Sequence, residues 1–318
     1  MSNISKLEKR KDELVKRTSI IFGISQEEAT NIFKQPLTSL VKVSNDNQVN
    51  EFIEEHIKNQ NLLPIEWVKN AYVIKENKDV FTRSQEFQNG KIYIQNASSL
   101  IPVLTLNPLP NEKILDMCAA PGGKTINIAY NAQNQAEIIV NDENPTRVLA
   151  MKKLFNTYGV KITSFYSQPA QYLSKHLPAN YFDKILLDAP CSGEGMIDLN
   201  KPETLGFWST KKIKRLSRLQ KGMIAEAYKL LKPEGVLVYS TCTLAPEENE
   251  EVISWAVNNL EGLKVENIEL KTNITNSFDG LKDWKDKPLS EECSKCLRIK
   301  PNDYMEAFFV CKLTRKNI

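Results

Sequence analysis

Histidine is almost absent from this 318-residue chain, with only His56 and His176, and cysteine is sparse at six residues. That density is far below a disulfide scaffold, so in a reducing compartment the thiols are expected to be catalytic, metal-binding or simply buried. Cys293 and Cys296 form a lone CxxC with no second pair, which argues against a four-ligand zinc site, and no metal is expected. No apolar run reaches the roughly eighteen residues needed to cross a bilayer, and MSNISKLEKRKDELVKR carries charge where a secretory leader needs an apolar centre. A soluble cytoplasmic protein with no membrane partner is expected. The net charge of +3 is too mild to announce a polyanionic partner by itself. Neither the GxGxxG nor the GxxxxGK[ST] spacing occurs, which leaves NAD and ATP only weakly supported. Internal repeats and low-complexity linkers are missing too.

What the chain does have is ILDMCAAPGGKT, residues 114–125. Ile114 and Leu115 continue a buried strand, Asp116 ends it, and Pro121, Gly122 and Gly123 impose a tight turn before a helix from about Lys124. A strand, a glycine turn and a helix start gather backbone N–H groups and the positive end of a helix dipole around one small volume. An ordinary αβ turn remains the alternative on this motif alone.

Residues 1–35 read as helices, with Leu7, Leu14 and Ile21 at two-turn spacing, Gly23 as a stop, and Ser25 with Glu28 as a capping box. From Leu37 to about Glu86, short apolar runs flank a helical stretch from Gln48 to Lys58, which suits a small α+β module. Beyond it, strands near Ile138–Asn141, Lys161–Phe165, Lys184–Leu187 and Val236–Ser240 alternate with helices over Thr146–Tyr158 and Lys211–Leu231. The expected fold is α/β, a doubly wound, mostly parallel Rossmann-like sheet over 86–318, preceded by a helical and α+β region over 1–85.

Asp116, Asp142, Asp188 and Cys242 all stand at or just past strand ends. Asp142 lies eighteen residues beyond Lys124, near the position from which an acid reaches a ribose hydroxyl pair, or else caps the next helix. In FDKILLDAPCSGEG, Pro190 stops the strand after Asp188 and fixes the backbone beside Cys191. GVLVYSTCTLAPEENEEVI repeats the logic with Cys242, followed by Glu247, Glu248, Asn249 and Glu250 opening a helix. Two thiols and one acid can thus meet in one cleft.

DMCAAPGGKT, DAPCSGEG, LLKPEGVLVYSTCTLAPEENE and RIKP with AFFVCKL, in that order, resemble the Nol/Nop/Sun (RsmB/RsmF) family of S-adenosylmethionine-dependent RNA cytosine-C5 methyltransferases. The resemblance spans roughly residues 85–313 and lies nearest the RsmF ribosomal RNA branch. It implies S-adenosylmethionine as methyl donor and RNA as partner, with 16S ribosomal RNA preferred, transfer RNA possible and no obligate protein partner. It also implies Cys242 as the nucleophile at cytosine C6, Asp188 at the N3 edge and against the donor, and Cys191 in release of the adduct. Cys118, Ala119, Ala120, Pro121, Gly122, Gly123 and Lys124 would wrap the donor's methionine portion, with Lys124 near its carboxylate and Asp142 on the ribose. Where the family carries an acid near the donor's adenine, this chain offers Ser167 or Gln168, and Ala307 replaces a glycine before Phe308.

Covalent attack suits the chemistry, because C5 of an electron-poor ring becomes nucleophilic only after addition at C6. The cytosine must leave its stack, and Tyr93, Phe207 and Trp208 are candidates to stack on it. Lys211, Lys212, Lys214, Arg215, Arg218 and Lys221 form a cationic run that reads either as a phosphate-binding face or as an ordinary solvated one. A DNA cytosine methyltransferase, with Cys191 attacking, is a rival against which the second cysteine motif argues. A non-catalytic assembly factor is the rival of another class.

Overall fold

The structure, a computed structural model, describes residues 3–33, 40–43, 47–75 and 77–317. The expected helix end at Gln35 and module start at Leu37 lie outside the described residues. Two helices open the chain, α1 (Asn3–Phe22) and α2 (Gln26–Ile32), separated by Gly23 at φ +62°. Ser25 and Glu28 form the reciprocal cap: the Glu28 N–H donates to Ser25 Oγ at 3.1 Å and the Ser25 N–H donates to Glu28 Oε2 at 2.9 Å.

A small antiparallel sheet follows, made of β1 (Leu40–Val43), β2 (Leu62–Pro64), β3 (Ala71–Ile74) and β4 (Ile92–Gln95) in the order β2-β3-β1-β4. Helix α3 (Asn47–Lys58) and the short α4 (Lys78–Thr82) and α5 (Gln85–Gln88) complete this unit. Val49, Ile53, Leu62, Ile74, Phe81 and Ile92 fill its separate core. Because β4 is the last strand of this sheet, the unit extends past residue 85 and ends near Gln95.

After α6 (Ile101–Leu106) the large sheet begins with β5 (Lys113–Asp116), α7 (Gly123–Asn131), β6 (Glu137–Asn141), α8 (Pro145–Thr157), β7 (Ser164–Tyr166) and β8 (Phe182–Asp188). Helix α9 (Thr210–Leu230), β9 (Leu231–Thr241), α10 (Glu250–Asn259) and β10 (Leu263–Glu266) follow. The chain closes with β11 (Ser277–Asp279), a β12–β13 hairpin (Asp283–Trp284, Lys287–Pro288), β14 (Leu297–Ile299) and β15 (Phe308–Arg315). Strands β7-β6-β5-β8-β9 are parallel neighbours, and β15 adds antiparallel to β9. Its other edge is shared by β14 and β10.

Alternation along the strands divides the core between the two faces of the sheet. Ile114, Leu186, Val238 and Val310 face one layer, whereas Leu115, Ile185, Leu187, Leu237, Tyr239 and Phe309 face the other. Winding reverses between β5 and β8, and a crevice outside their carboxyl ends is where such sheets hold ligands. Helix α1 packs on this domain: Leu14 and Ile21 bury against Trp208, Ile213, Leu244 and Trp284. Each such side chain contributes about 1.5–3 kcal/mol by leaving water.

Candidate active site

The loop after β5 is pinned from both sides. The Met117 N–H donates to Leu186 O on β8 at 3.0 Å, and the Ala119 N–H donates to Asn141 O on β6 at 2.8 Å. Gly122 sits at φ +115°, and a side chain there would meet Leu154 and Phe155; a Cβ at Gly123 would come within 2.6 Å of the Tyr93 ring. Helix α7 then starts with its free N–H groups at the loop. Asp116 is buried beneath it, accepting from Thr125 Oγ1 at 2.7 Å, and burial pushes its carboxyl up to about 7.

A cavity of about 310 Å³ opens here, bounded by Cys118, Asp142, Ala170, Asp188, Cys191 and Cys242 among others. A second, of about 230 Å³, reaches the same loop from the β4 side, and the two share Cys118, Ala120 and Asp188. Asp142 is 4 % exposed and accepts from the Asn144 N–H at 3.0 Å, while Arg147 ion-pairs with it at 3.3 Å and donates to Ala120 O at 2.7 Å. Asp142 thus starts the turn into α8 and also faces the cavity; the helix cap itself is Asn144. A buried acid, apolar walls from Ala170 and Met223, and a glycine loop at a helix start fit a nucleoside bearing an amino-acid tail. The side chains of Ser167 and Gln168 are not among the cavity's walls. Gln168 instead pairs through its backbone with the Asn141 side chain, and Glu143 and Ala170 line the wall.

Asp188 is the point where the two cavities and the thiols meet. Its Oδ2 takes the Lys124 ammonium at 2.7 Å and its Oδ1 accepts from Ser240 Oγ, also at 2.7 Å. Burial works against the Lys124 charge, but Asp188, the Cys242 sulfur and Glu306 outweigh it and hold the ammonium above its usual range. Lys124 thus pairs with Asp188 while lining the cavity on the β4 side. Glu306 is itself pushed up to about 7 by burial.

Cys191 Sγ and Cys242 Sγ stand 3.2 Å apart, both half-buried and both free. The hydrogen bond to the Cys242 sulfur, followed by burial, raises the Cys191 thiol well above its ordinary range. Either sulfur can be the donor in this pair. Cys118 is different: burial and four surrounding acids push it up, leaving an inert wall. Cys293, Cys296 and Cys311 pack in the core of the sheet, where burial raises all three thiols.

Buried carboxylates lock the two thiol loops together. Glu194 accepts from Trp208 Nε1 at 2.8 Å, Thr243 Oγ1 at 3.0 Å and the Leu244 N–H at 3.0 Å. Glu248 accepts from the Ser192 N–H at 3.0 Å and from Gln220 Nε2 at 2.9 Å, and burial lifts its carboxyl to about 7. The Gly195 N–H donates to Cys242 O at 2.9 Å, and a Cβ there would come within 2.5 Å of Ala307 O. The stretch expected to open a helix is mostly a turn: α10 starts at Glu250, and Glu247 binds Arg17 of α1 through two bonds, 3.1 and 2.5 Å.

The structure thus brings Cys118–Lys124, Asp142, Asp188, Cys191 and Cys242 to one end of the sheet. Trp208, a stacking candidate, is buried with its N–H on Glu194, and Tyr93 is packed over Gly123, whereas Phe207 is 83 % exposed. Arg147, Ser240, Glu194 and Arg17 were missed by the sequence reading. Only Glu194, inside the DAPCSGEG motif, carried a local signal.

Residues 103–314 match the family described as 16S rRNA methyltransferase RsmB/F. The chain is 37% identical over 287 residues to the tRNA (cytosine(49)-C(5))-methyltransferase of Pyrococcus abyssi, covering 88% of this chain and 89% of that one. It is 31% identical over 306 residues to the ribosomal RNA small subunit methyltransferase F of Vibrio parahaemolyticus, covering 94% of this chain and 61% of that relative's length. A methyltransferase homologue of Pyrococcus horikoshii superposes with a TM-score of 0.75 at 29% identity, over 94% of this chain and 98% of the other.

Proposed function

We propose that this chain, which belongs to the 16S rRNA methyltransferase RsmB/F family, transfers a methyl group from S-adenosylmethionine to C5 of a cytosine in structured RNA through a covalent Cys242 adduct. The observation that carries the reading is the pair of thiols 3.2 Å apart on a cavity bounded by Asp142 and Asp188. The loop Cys118–Lys124 and Asp142 would hold the donor. When bound, S-adenosylmethionine supplies the electrophilic methyl that C5 takes up, the sulfonium sulfur keeping the electrons of the broken bond.

The protein's own groups do the rest. Cys242 sulfur, hydrogen-bonded by the Cys191 thiol and near the Lys124 ammonium, adds to C6, and the C5=C6 electron pair moves toward C5. Asp188, oriented by Lys124 and Ser240, would meet the N3 edge and relay to N3 the proton that the Cys242 thiol sheds, so that the charge developing during that addition is taken up; the proton returns when Cys242 leaves. Once the Cys242 sulfur is bound to carbon, the largest cause of the raised Cys191 pKa is gone. Cys191 can then release its proton to water and accept the C5 proton; the C5=C6 bond re-forms and Cys242 leaves with its electron pair.

Small-subunit ribosomal RNA is the first candidate substrate, supported by the family description and the Vibrio relative. Transfer RNA is a second reading, supported by the Pyrococcus abyssi relative, which is 37% identical over 88% of this chain. Radiolabelled S-adenosylmethionine and size-fractionated total RNA from a strain lacking the gene test both. Label in small-subunit ribosomal RNA that disappears with Cys242→Ala is the expected result; label confined to transfer RNA moves the substrate. Donor binding with no label in any fraction supports a non-catalytic assembly factor.

A further inference from the structure

The cationic run on α9 begins beside a large aromatic ring left in water. Phe207 is 83 % exposed, although its neighbours Leu205 and Trp208 are 2 % and 1 % exposed. Its loop is not slack. Arg10 of α1 donates to Leu205 O at 3.1 Å and Gly206 O at 2.7 Å, and Trp208 is tied to Glu194. A rigid backbone that presents a phenyl ring to solvent spends apolar surface without a packing return.

Immediately after it, the first turns of α9 line a surface concavity of about 660 Å³ with Lys211, Lys212, Lys214, Arg215 and Arg218. Ile213, Leu216 and Gln220 turn inward, so the cations share the outer face. Lys211, Lys214, Arg215, Arg218 and Lys221 make no ion pair among the described residues. A solvated face normally intersperses acids among such charges; along the helix none lies between Lys211 and Lys221, and Glu247 and Glu251 line a separate hollow with Lys214, Arg218 and Lys221, not the concavity of the first turns. The patch also reaches the reaction centre: Lys212 Nζ donates to Ser192 O at 3.3 Å, one residue from Cys191. Met196, 61 % exposed, lines the catalytic cavity on the same loop.

We propose that Phe207 and the first three turns of α9 form the docking platform for the RNA strand flanking the target cytosine. The ring stacks on an unpaired neighbouring base, and the α9 cations neutralise consecutive phosphates leading toward Cys191 and Cys242. Helix α1 acts as the strut that fixes the platform through Arg10. This inference rests on the RNA reading above and assigns it a surface.

The test measures binding of a fluorescein-labelled, cytidine-rich single-stranded RNA across a salt series, alongside methylation of total RNA. Lys211→Gln, Arg215→Gln and Arg218→Gln combined should lower the salt slope by about 2, since each lost phosphate contact contributes about 0.7 for a single strand. Phe207→Ala should weaken binding about tenfold with an unchanged salt slope, the signature of lost stacking. Donor affinity and thermal midpoint should stay at wild-type values in both. The control removes equal charge elsewhere, at Lys153, Lys161 and Lys264, and should leave the slope unchanged. Equal losses from the two triple variants overturn the platform, as does wild-type binding by the α9 triple variant while the wild-type protein methylates RNA. A wild-type protein that labels no RNA overturns the reading beneath it instead.

Discussion

The proposed donor cradle and the thiol pocket share Asp188 but are held by different physics. Backbone makes the cradle: a left-handed Gly122, main-chain bonds to β6 and β8, and the start of α7. Side chains far apart in the sequence make the pocket, with Glu194 and Glu248 collecting donors from both thiol loops. Main-chain geometry tolerates changes of side chain and depends on the absence of Cβ atoms. A buried carboxylate lattice is the opposite, since every donor it loses is left unpaired in low dielectric.

Glu194→Ala should therefore have the largest effect. Three buried donors lose their acceptor, and stability should fall by about 3–5 kcal/mol in urea unfolding. A loss under about 1 kcal/mol would show that the pocket is not held this way. Next comes Gly195→Ala, whose Cβ meets Ala307 O at 2.5 Å and Cys242 O at 3.1 Å, both backbone atoms. It should cost about 1–3 kcal/mol and depress turnover while sparing donor affinity. Gly123→Ala meets only the far end of the Tyr93 ring, so it should do the reverse, weakening the donor with turnover at saturation preserved. Equal effects of the two glycine changes on donor affinity would erase the distinction.

Smaller still, Asp142→Asn should weaken donor binding about ten- to hundredfold by calorimetry, the worth of hydrogen bonds to a charged group, with little change in melting temperature. The last contrast is in pH. Asp116 under the cradle and Glu248 in the pocket are both lifted to about 7 by burial, from a reference value of 4.5 for glutamate and 3.8 for aspartate. In the window between those reference values and about 7 the unfolded chain holds fewer protons than the folded one, so stability falls as pH rises and levels off above about 7. Asp116→Asn should flatten part of that slope in thermal melts. Glu247 has the opposite sign. Burial raises it, but Arg17 outweighs burial and holds it at about 2, so the α1 contact is retained until strong acid.

This division also explains what could be read from the sequence. Apolar runs of four or five residues ending at or just before Asp116, Asp142, Asp188 and Cys242 marked the parallel strands and placed each candidate side chain at a strand tip. Pro121, Gly122 and Gly123 announced the cradle, because turn chemistry is local. The pairings that support the pocket were not legible: Glu194 lies in a recognisable motif, but its partners Thr243 and Leu244 are 49 and 50 positions away, and Arg17 and Glu247 of the α1 contact are 230 apart, so no local pattern joins them. The antiparallel edge around β15 was equally silent, its pairing with β9, β10 and β14 being a property of the whole sheet. The aromatic candidates were told apart only by burial, which left Phe207 outside and Trp208 inside.

The most direct measurement uses RNA in which 5-fluorocytidine replaces cytidine, so that no C5 proton can be removed and the protein–RNA bond persists after methyl transfer. Mass spectrometry of the digested adduct should find the nucleotide on the peptide containing Cys242, with the methyl group present and Cys191 unmodified. An adduct carried by Cys191, or methylated product with no covalent intermediate, would contradict attack by Cys242 and return the rival assignment of the two thiols.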